Sequence, residues 1–171
     1  MKKKPTTNDI FILMENNKFI EAHKTLVSLM ECDQKIIYLF TCLDKLLPLY
    51  KLKKPKNKQV EAALCATQVY LEDYLGDNIC VREPQIFAAY AASAGEEAFT
   101  TDDFMNSYAH AVKHLLYAIE CAWTYAAYNN VDKYLNWCVE EFCNCINLST
   151  TVTETTHRKL IKEGLNLIKP I

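Results

Sequence analysis

Apolar residues recur at helical spacing along almost the whole chain. The segment 33–50 shows the pattern most plainly, because its apolar positions follow the i, i+3, i+4, i+7 rule of one helix face. These positions are Ile36, Leu39, Phe40, Leu43, Leu46 and Leu47. No segment alternates apolar and polar residues over a length that would suit a strand. The pattern therefore predicts an all-α protein.

Polar and helix-breaking residues divide this pattern into eight predicted helices. Their ranges are 7–16, 18–32, 33–50, 57–76, 84–99, 100–130, 130–148 and 157–169. A basic tail covers 1–8, a basic linker covers 51–58, and a polar link covers 149–156. We expect Pro48 to end or kink the third helix, because proline lacks a backbone N–H and clashes with the preceding turn.

Alanine crowds the fifth and sixth predicted helices. In the sixth, a stripe of small and bulky residues stays within about 40° of one line at 100° per residue. The stripe consists of Phe104, Tyr108, Ala111, Leu115, Ala118, Ala122 and Ala126. Alanine lets helix backbones approach closely, and aromatic rings can fill the facing gaps. We predict one compact single-domain bundle of seven or eight helices, residues 1–171, around an Ala-rich central pair.

The composition agrees with a single soluble domain. The chain has 171 residues, half of them apolar, and few glycines or prolines for the turns of a sheet protein. The apolar run 9–14 is shorter than a signal-peptide core, and no stretch of about 18 apolar residues occurs. We expect a cytoplasmic location and no membrane partner. The composition leaves the oligomeric state open.

The eight cysteines do not form a recognisable motif. No CxxC occurs, so the spacing of a zinc ribbon or a thioredoxin-like site is missing. The segment WCVEEFCNC places three thiols within eight residues, and on a helix Cys138 and Cys145 share a face while Cys143 points elsewhere. We interpret the cysteines as reduced thiols that pack like small apolar residues.

Charge is distributed unevenly although the net charge is only −2. Residues 1–59 carry 12 lysines and 6 acidic residues, whereas residues 60–147 carry 3 basic and 13 acidic residues. The acidic middle predicts a surface that attracts basic partners. The lysine clusters fall in a tail and a linker rather than along one helix face, so we expect no nucleic-acid partner.

Two features could carry chemistry. His110 and His114 lie four residues apart on a predicted helix flank that also carries Cys121, and nitrogen and sulfur donors on one face suit a transition metal. The glutamate of an HExxH motif is absent, and structural or interfacial histidines are the plainer interpretation. Paired acids occur at Glu96-Glu97, Asp102-Asp103 and Glu140-Glu141, but neighbours on a helix point about 100° apart and do not converge.

Motifs for other enzyme classes do not occur. The chain has no GxSxG elbow, no phosphate-binding glycine loop and no dinucleotide fingerprint. So few glycines also leave little room for backbone donors aimed at an oxyanion. We therefore expect a non-enzymatic protein without a cofactor.

Two stretches together resemble a known family. The first is LDKLLPLYKLKKPKNKQVEAALCATQVYLEDYLG, a helix ending in Leu-Pro plus an aromatic residue, a basic connector and an Ala-rich helix. The second is IFAAYAASAGEEAF followed by SYAHAVKHLLYAIECAWTYAAY, two alanine/aromatic helices with a histidine in the second. In this order they resemble the all-helical immunity protein family five of bacterial polymorphic-toxin systems, over roughly residues 38–148.

The resemblance implies a protein that binds and neutralises a cognate toxin. A basic toxin would be captured faster by an acidic helical face. The candidate face consists of Glu96, Glu97, Asp102, Asp103, Glu120, Asp132, Glu140 and Glu141, with Tyr117, Tyr128, Tyr134 and Trp137 as aromatic anchors. Two alternatives stay open: a metal-dependent helical enzyme using His110, His114 and Cys121, and a non-catalytic helical adaptor.

Overall fold

The all-α prediction is confirmed. A computed structural model describes residues 4–56, 58–75, 85–97, 102–123, 128–149 and 153–168, and these contain eight α-helices and a 3-10 turn but no strand. The helices are α1 (Thr7–Glu15), α2 (Phe19–Ser28), α3 (Cys32–Leu52), α4 (Gln59–Leu75), α5 (Gln85–Glu97), α6 (Asp103–Trp123), α7 (Val131–Ser149) and α8 (Thr153–Leu165). The 3-10 turn covers Tyr128–Asn130.

Each of the first three helices begins directly after a polar residue: Thr6, Lys18 and Glu31. Asn17 adopts a left-handed conformation with φ of 56°, which asparagine tolerates better than most residues, and this reverses the chain between α1 and α2. Glu31 precedes α3, and its N–H donates to Gln34 Oε1 at 2.9 Å. This contact satisfies one backbone donor beside the helix start.

Pro48 does not end the third helix, which was one of the two expected effects of this proline. α3 continues through Pro48 to Leu52. Pro48 lies in the last turns on the exposed side, where water can satisfy the Asp44 carbonyl that loses its intrahelical donor. The next turn places Tyr50 in the core, where its ring stacks on Tyr108 at 4.8 Å between centroids. Burial of Tyr50 favours continuing the helix, so the first residues of the predicted linker 51–58 are helical.

α6 lies at the centre of the bundle. It packs against α3, α4, α5 and α7, and its largest interface is with α7. The predicted stripe is confirmed from Phe104 to Ala118, whose members are all buried, while Ala122 is half-buried and Ala126 lies outside the described residues. Tyr108 carries the one polar group of that stripe, and its hydroxyl donates to the Leu43 carbonyl at 2.7 Å. This bond ties α6 to α3.

The last described helix begins earlier than predicted. α8 starts at Thr153, so the second half of the polar link 149–156 is helical. A polar run is compatible with a first helical turn on a surface, and Glu154 there suits the positive helix N-terminus. α8 buries His157, Leu160, Ile161 and Gly164 and packs on α2 and α7. Every helix contributes to one continuous hydrophobic core.

Two further findings bear on the sequence interpretation. None of the helices within the described ranges is long and apolar enough to cross a membrane.

Seven cysteines are free thiols: Cys42, Cys121, Cys138, Cys143 and Cys145 are buried, Cys32 is half-buried and Cys65 is exposed. Cys80 lies outside the described residues. Five of the seven thus pack in the interior, as small apolar residues do.

Gly164 marks the tightest contact of α8. A β-carbon at this position would lie 2.6 Å from Leu26 Cδ2 and 2.6 Å from Tyr38 Cε2. We predict that Gly164→Ala lowers the free energy of unfolding by about 1–3 kcal/mol through overpacking, despite the better helix propensity of alanine. Urea denaturation measures this change.

The matched control for Gly164 is Gly95→Ala, also within a helix. A β-carbon at Gly95 meets only Lys113 Cδ at 3.1 Å, which is part of a flexible side chain. This variant should be neutral or slightly more stable. Equal effects of the two substitutions would contradict the packing argument.

Candidate functional site

Three of the predicted acidic contact residues form ion pairs within the protein. Lys53 Nζ lies 3.0 Å from Asp102 Oδ2, Lys35 Nζ lies 2.7 Å from Asp132 Oδ1, and Lys24 pairs with Glu140. All three lysines belong to the basic segment 1–59 and all three acids to the acidic segment 60–147. The two oppositely charged parts of the sequence therefore partly complement each other inside one molecule.

Asp102 also has a local structural role. Its Oδ1 accepts from the Met105 N–H at 3.0 Å, so it caps the start of α6. This hydrogen bond, together with Lys53, lowers the pKa of the Asp102 carboxyl. The Asp102 side chain is therefore committed to the fold.

The remaining acids are more open to a partner. Asp103 is exposed, and Glu120 and Glu141 are half-buried. No salt bridge joins any of these three to another described residue. The side chains of Glu96, Glu97 and Tyr128 lie outside the described part of the chain.

An aromatic cluster lies along the seam between α6 and α7, and we call it the α6/α7 seam. It consists of His114 and Tyr117 from α6 and Tyr134 and Trp137 from α7. The His114 ring centroid lies 5.2 Å from that of Trp137, and the Tyr117 and Tyr134 centroids are 5.4 Å apart. Trp137 is 38% exposed, and Lys133 Nζ lies 4.6 Å from its ring centroid.

His114 is held neutral beneath these rings. Burial lowers its pKa to about 4, and the nearby positive charges of Lys113 and His110 act in the same direction. Its Nδ1 atom is buried and has no hydrogen-bond partner among the described residues. An unsatisfied buried nitrogen is uncommon in native proteins and calls for an explanation.

The predicted trio His110, His114 and Cys121 is spread along α6. The two imidazole rings are stacked with centroids 6.1 Å apart. Cys121 follows His114 by seven residues, which corresponds to about 10 Å of helix rise. Within the described ranges, the grouped His, Cys, Asp and Glu donors close enough to hold one metal ion are a different set: His23, Cys143 and His157.

Sequence reasoning missed this buried polar network. His23 Nδ1 lies 2.6 Å from the Tyr38 hydroxyl, and His23 Nε2 lies 3.0 Å from His157 Nδ1. His157 Nε2 lies 3.2 Å from Asn147 Oδ1. The network joins α2, α3, α7 and α8, and both histidines are fully buried. One signal was present in the sequence: His23 falls on the buried stripe of α2 beside Ala22 and Leu26.

The donors and acceptors of this network are satisfied in one neutral arrangement. Asn147 Oδ1 can only accept, so His157 Nε2–H donates to it and His157 Nδ1 accepts from His23 Nε2–H. His23 Nδ1 then accepts from the Tyr38 hydroxyl. Burial raises the pKa of the neighbouring Cys42 thiol to about 12, so this thiol stays protonated. Every partner is uncharged, as a buried site requires.

The network runs between two parts of the surface. Tyr38 and Cys42 line a partly open cleft of about 210 Å³, beside Glu163 and Leu160. At the other end, Asn147 is exposed. The cleft is small and carries no convergent set of catalytic groups, so its geometry gives no support to an enzymatic site there.

Comparison with protein-family models, with curated proteins and with solved structures finds no match to this chain. The resemblance to toxin-immunity proteins therefore depends only on the residues quoted for it.

The histidines predict how stability depends on pH. Burial lowers the pKa of His23 well below 6.5 and that of His157 to about 4. The pKa values of His110 and His114 are lowered as well. The unfolded chain therefore binds more protons than the native protein below pH 6.5, and stability should fall between about pH 6.5 and pH 4.

His157→Gln tests this assignment. Removing one histidine that stays neutral should reduce the slope of unfolding free energy against pH by about one proton, or about 1.4 kcal/mol per pH unit. His110→Gln, at a less buried ring, should change the slope less. Urea denaturation at several pH values measures both variants. An unchanged slope in His157→Gln would contradict the assignment.

Proposed function

We propose that this protein is a non-catalytic binding protein that neutralises a cognate bacterial toxin, and that the toxin docks on the α6/α7 seam. The family resemblance suggests the kind of partner, and the geometry of the seam suggests where it binds. The proposal places the protein in the cytoplasm, where a toxin made by the same or a neighbouring cell would act.

The environment of Trp137 is the main reason for placing the toxin on the α6/α7 seam. Tryptophan and tyrosine are enriched among the residues that dominate binding energies, because they bury a large area with few rotatable bonds. Trp137 is 38% exposed, yet its ring is already positioned by His114 and Tyr134. A partner that covers it would bury a pre-organised aromatic surface at a small entropic cost.

The charges beside the seam suggest a basic partner. Glu141 lies one helical turn beyond Trp137 on α7, and Glu120 lies near the end of α6. Neither makes a salt bridge to another described residue, so both can attract a basic surface. Asp102, Asp132 and Glu140 are weaker candidates than the sequence suggested, because lysines of the same chain already pair with them.

The unpartnered nitrogen of His114 adds support for a contact surface. His114 Nδ1 could accept a hydrogen bond from a partner group once the rings above it shift. Because burial keeps the pKa of His114 near 4, the imidazole would act as a neutral acceptor at pH 7. A different observation weakens the alternative of a metal-dependent enzyme at His110 and His114. Cys121 lies about 10 Å along the helix from His114, which is too far to share one ion with the two histidines.

The first test is co-expression with a toxin encoded beside this gene. Cells that express the toxin should survive only when this protein is present. Survival with an inactive toxin variant provides the control for expression burden. Death regardless of this protein would remove the proposal and favour an adaptor that has no toxin partner.

We predict that Trp137→Ala weakens toxin binding by at least about 30-fold, the loss that corresponds to a hot spot of about 2 kcal/mol. Surface plasmon resonance measures the change. Phe11→Ala is the matched control, because Phe11 is a 46% exposed aromatic residue on α1, a helix that packs chiefly on α2. Thermal unfolding should change little in either variant. Equal affinities of the two variants would place the interface elsewhere.

We also predict that Glu141→Lys slows toxin association chiefly at low salt, because long-range attraction is screened within about 10 Å at 0.1 M salt. Glu140→Lys should have a similar effect on the rate but would also break the pair with Lys24. Glu72→Lys on α4 makes the same charge change away from α7. Stopped-flow rates that do not separate Glu141→Lys from Glu72→Lys would contradict an acidic docking face.

A further inference from the structure

Three buried donors meet where α2, α7 and α8 pack together. His23 comes from α2, Cys143 from α7 and His157 from α8. One ligand atom from each lies within 4.8 Å of the other two. The three side chains come from positions up to 134 residues apart, so the fold rather than local sequence brings them together.

The two imidazoles are oriented as metal-binding histidines usually are. Such a histidine binds the ion through one ring nitrogen and donates the N–H of the other to an oxygen acceptor. His23 Nε2 and His157 Nδ1 face each other at 3.0 Å. Their outer nitrogens each meet an oxygen: His23 Nδ1 meets the Tyr38 hydroxyl at 2.6 Å, and His157 Nε2 meets Asn147 Oδ1 at 3.2 Å.

The distances require only a small adjustment. Metal–nitrogen bonds of 2.0–2.1 Å and metal–sulfur bonds of 2.3 Å place neighbouring ligand atoms about 3.3–3.8 Å apart. The two nitrogens would separate by a few tenths of an ångström, and the Cys143 thiol would approach by up to about 1 Å. Both movements are within the range of a side-chain rotation.

We propose that His23 Nε2, His157 Nδ1 and Cys143 Sγ form a buried site for one thiophilic metal ion, with Cu⁺ favoured over Zn²⁺. This site is separate from the α6/α7 seam and goes beyond the proposed function. A thiolate with two imidazoles selects soft or borderline cations and disfavours Mg²⁺ and Ca²⁺. The bound ion would fasten α8 to α2 and α7.

Charge and coordination number favour Cu⁺. One thiolate, two neutral imidazoles and Cu⁺ sum to zero, whereas Zn²⁺ would leave a net positive charge in a fully buried site. Zinc also takes four ligands, and the grouped donors of the described residues number three. Monovalent copper is stable with three ligands.

Binding moves protons in a defined way. The Cys143 thiol loses its proton to solvent, so one proton is released for each ion bound. The His23 proton moves from Nε2 to Nδ1 and is donated to the Tyr38 oxygen. The Tyr38 hydroxyl hydrogen then turns away from His23, toward the cleft that Tyr38 lines together with Cys42. No electron is transferred, because the ion enters and stays as Cu⁺.

The experiment uses the full chain in a background that removes surface thiols. Cys32→Ser, Cys65→Ser and Cys80→Ser eliminate the half-buried and exposed cysteines and the one outside the described residues. This parent is titrated anaerobically with Cu⁺ against a chromogenic Cu⁺ chelator, and separately with Zn²⁺. We expect one Cu⁺ per chain, and an unfolding midpoint that increases on binding.

Matched variants test the ligands. Cys143→Ala should reduce Cu⁺ affinity at least 100-fold, whereas Cys145→Ala, another fully buried thiol two residues away, should retain it. Asn147→Ala removes only the outer hydrogen bond of His157, at an exposed position that does not threaten folding, and should reduce affinity 10–100-fold. Co²⁺ added to the parent should give a thiolate-to-metal absorption band that Cys143→Ala loses.

The contrary outcomes are equally specific. Failure of both Cu⁺ and Zn²⁺ to bind the parent would overturn the proposal, as would equal affinities in Cys143→Ala and Cys145→Ala. Tighter binding of Zn²⁺ than of Cu⁺ would overturn the assignment of the ion. Because none of these measurements involves a toxin, failure here leaves the test of the α6/α7 seam independent.

Discussion

The enclosure of α6 is the constraint on which the other contacts of the bundle depend. Its stripe from Phe104 to Ala118 is fully buried, and small residues there allow α5 and α7 to approach closely. A helix covered on so many sides has only a narrow strip left at the surface. That strip, where α6 meets α7, is where His114 and Tyr117 emerge beside Trp137. The candidate contact surface is therefore a by-product of close packing beneath it.

The charge distribution acts partly within the molecule. Lys24 of α2, Lys35 of α3 and Lys53 directly after α3 pair with Glu140, Asp132 and Asp102, respectively. Each pair is partly exposed and worth little alone, about 0–1 kcal/mol. In every pair the lysine comes from the N-terminal segment and the acid from the middle segment. Together the pairs therefore favour docking of the N-terminal helices on the acidic middle of the chain. Among the described members of the predicted acidic face, Asp103, Glu120 and Glu141 remain without such a pair.

Local periodicity explains how much of the fold could be predicted from sequence. The apolar stripes of α3 and α6 repeat within a single helix, so most of the residues predicted to be buried are buried. Pro48 was misjudged because the rule for proline is local, whereas the burial of Tyr50 in the next turn is a tertiary effect. The start of α8 was placed too late because its first turn is polar and exposed, and such a turn has no apolar pattern.

The candidate sites differ in predictability for the same reason. Trp137 and Tyr134 could be proposed as anchors because aromatic residues on a polar helix face are visible in one sequence. The meeting of His23 with His157 could not, because 134 residues separate them and one sequence carries no information about such a pair. His110 and His114 were considered as metal ligands because of their spacing on one helix flank. The network around His23 showed only as a histidine on an apolar stripe.

The contacts of α8 and the residues after it also determine when the core can close during synthesis of the chain. Gln34 donates to the Leu167 carbonyl, Arg158 donates to the Met14 carbonyl, and His157 meets His23, so segments from both ends of the described chain lie side by side. While the ribosome adds the helices between them, His23 Nε2 lacks its partner, because His157 has not yet been made. A nascent chain that stops before residue 157 exposes the apolar surfaces of α2 and α7 on which α8 packs. It also leaves His23 without its His157 partner in the middle of that apolar surface. Chaperones and proteases recognise intermediates with such exposed apolar surface, and this surface is buried only when α8 docks.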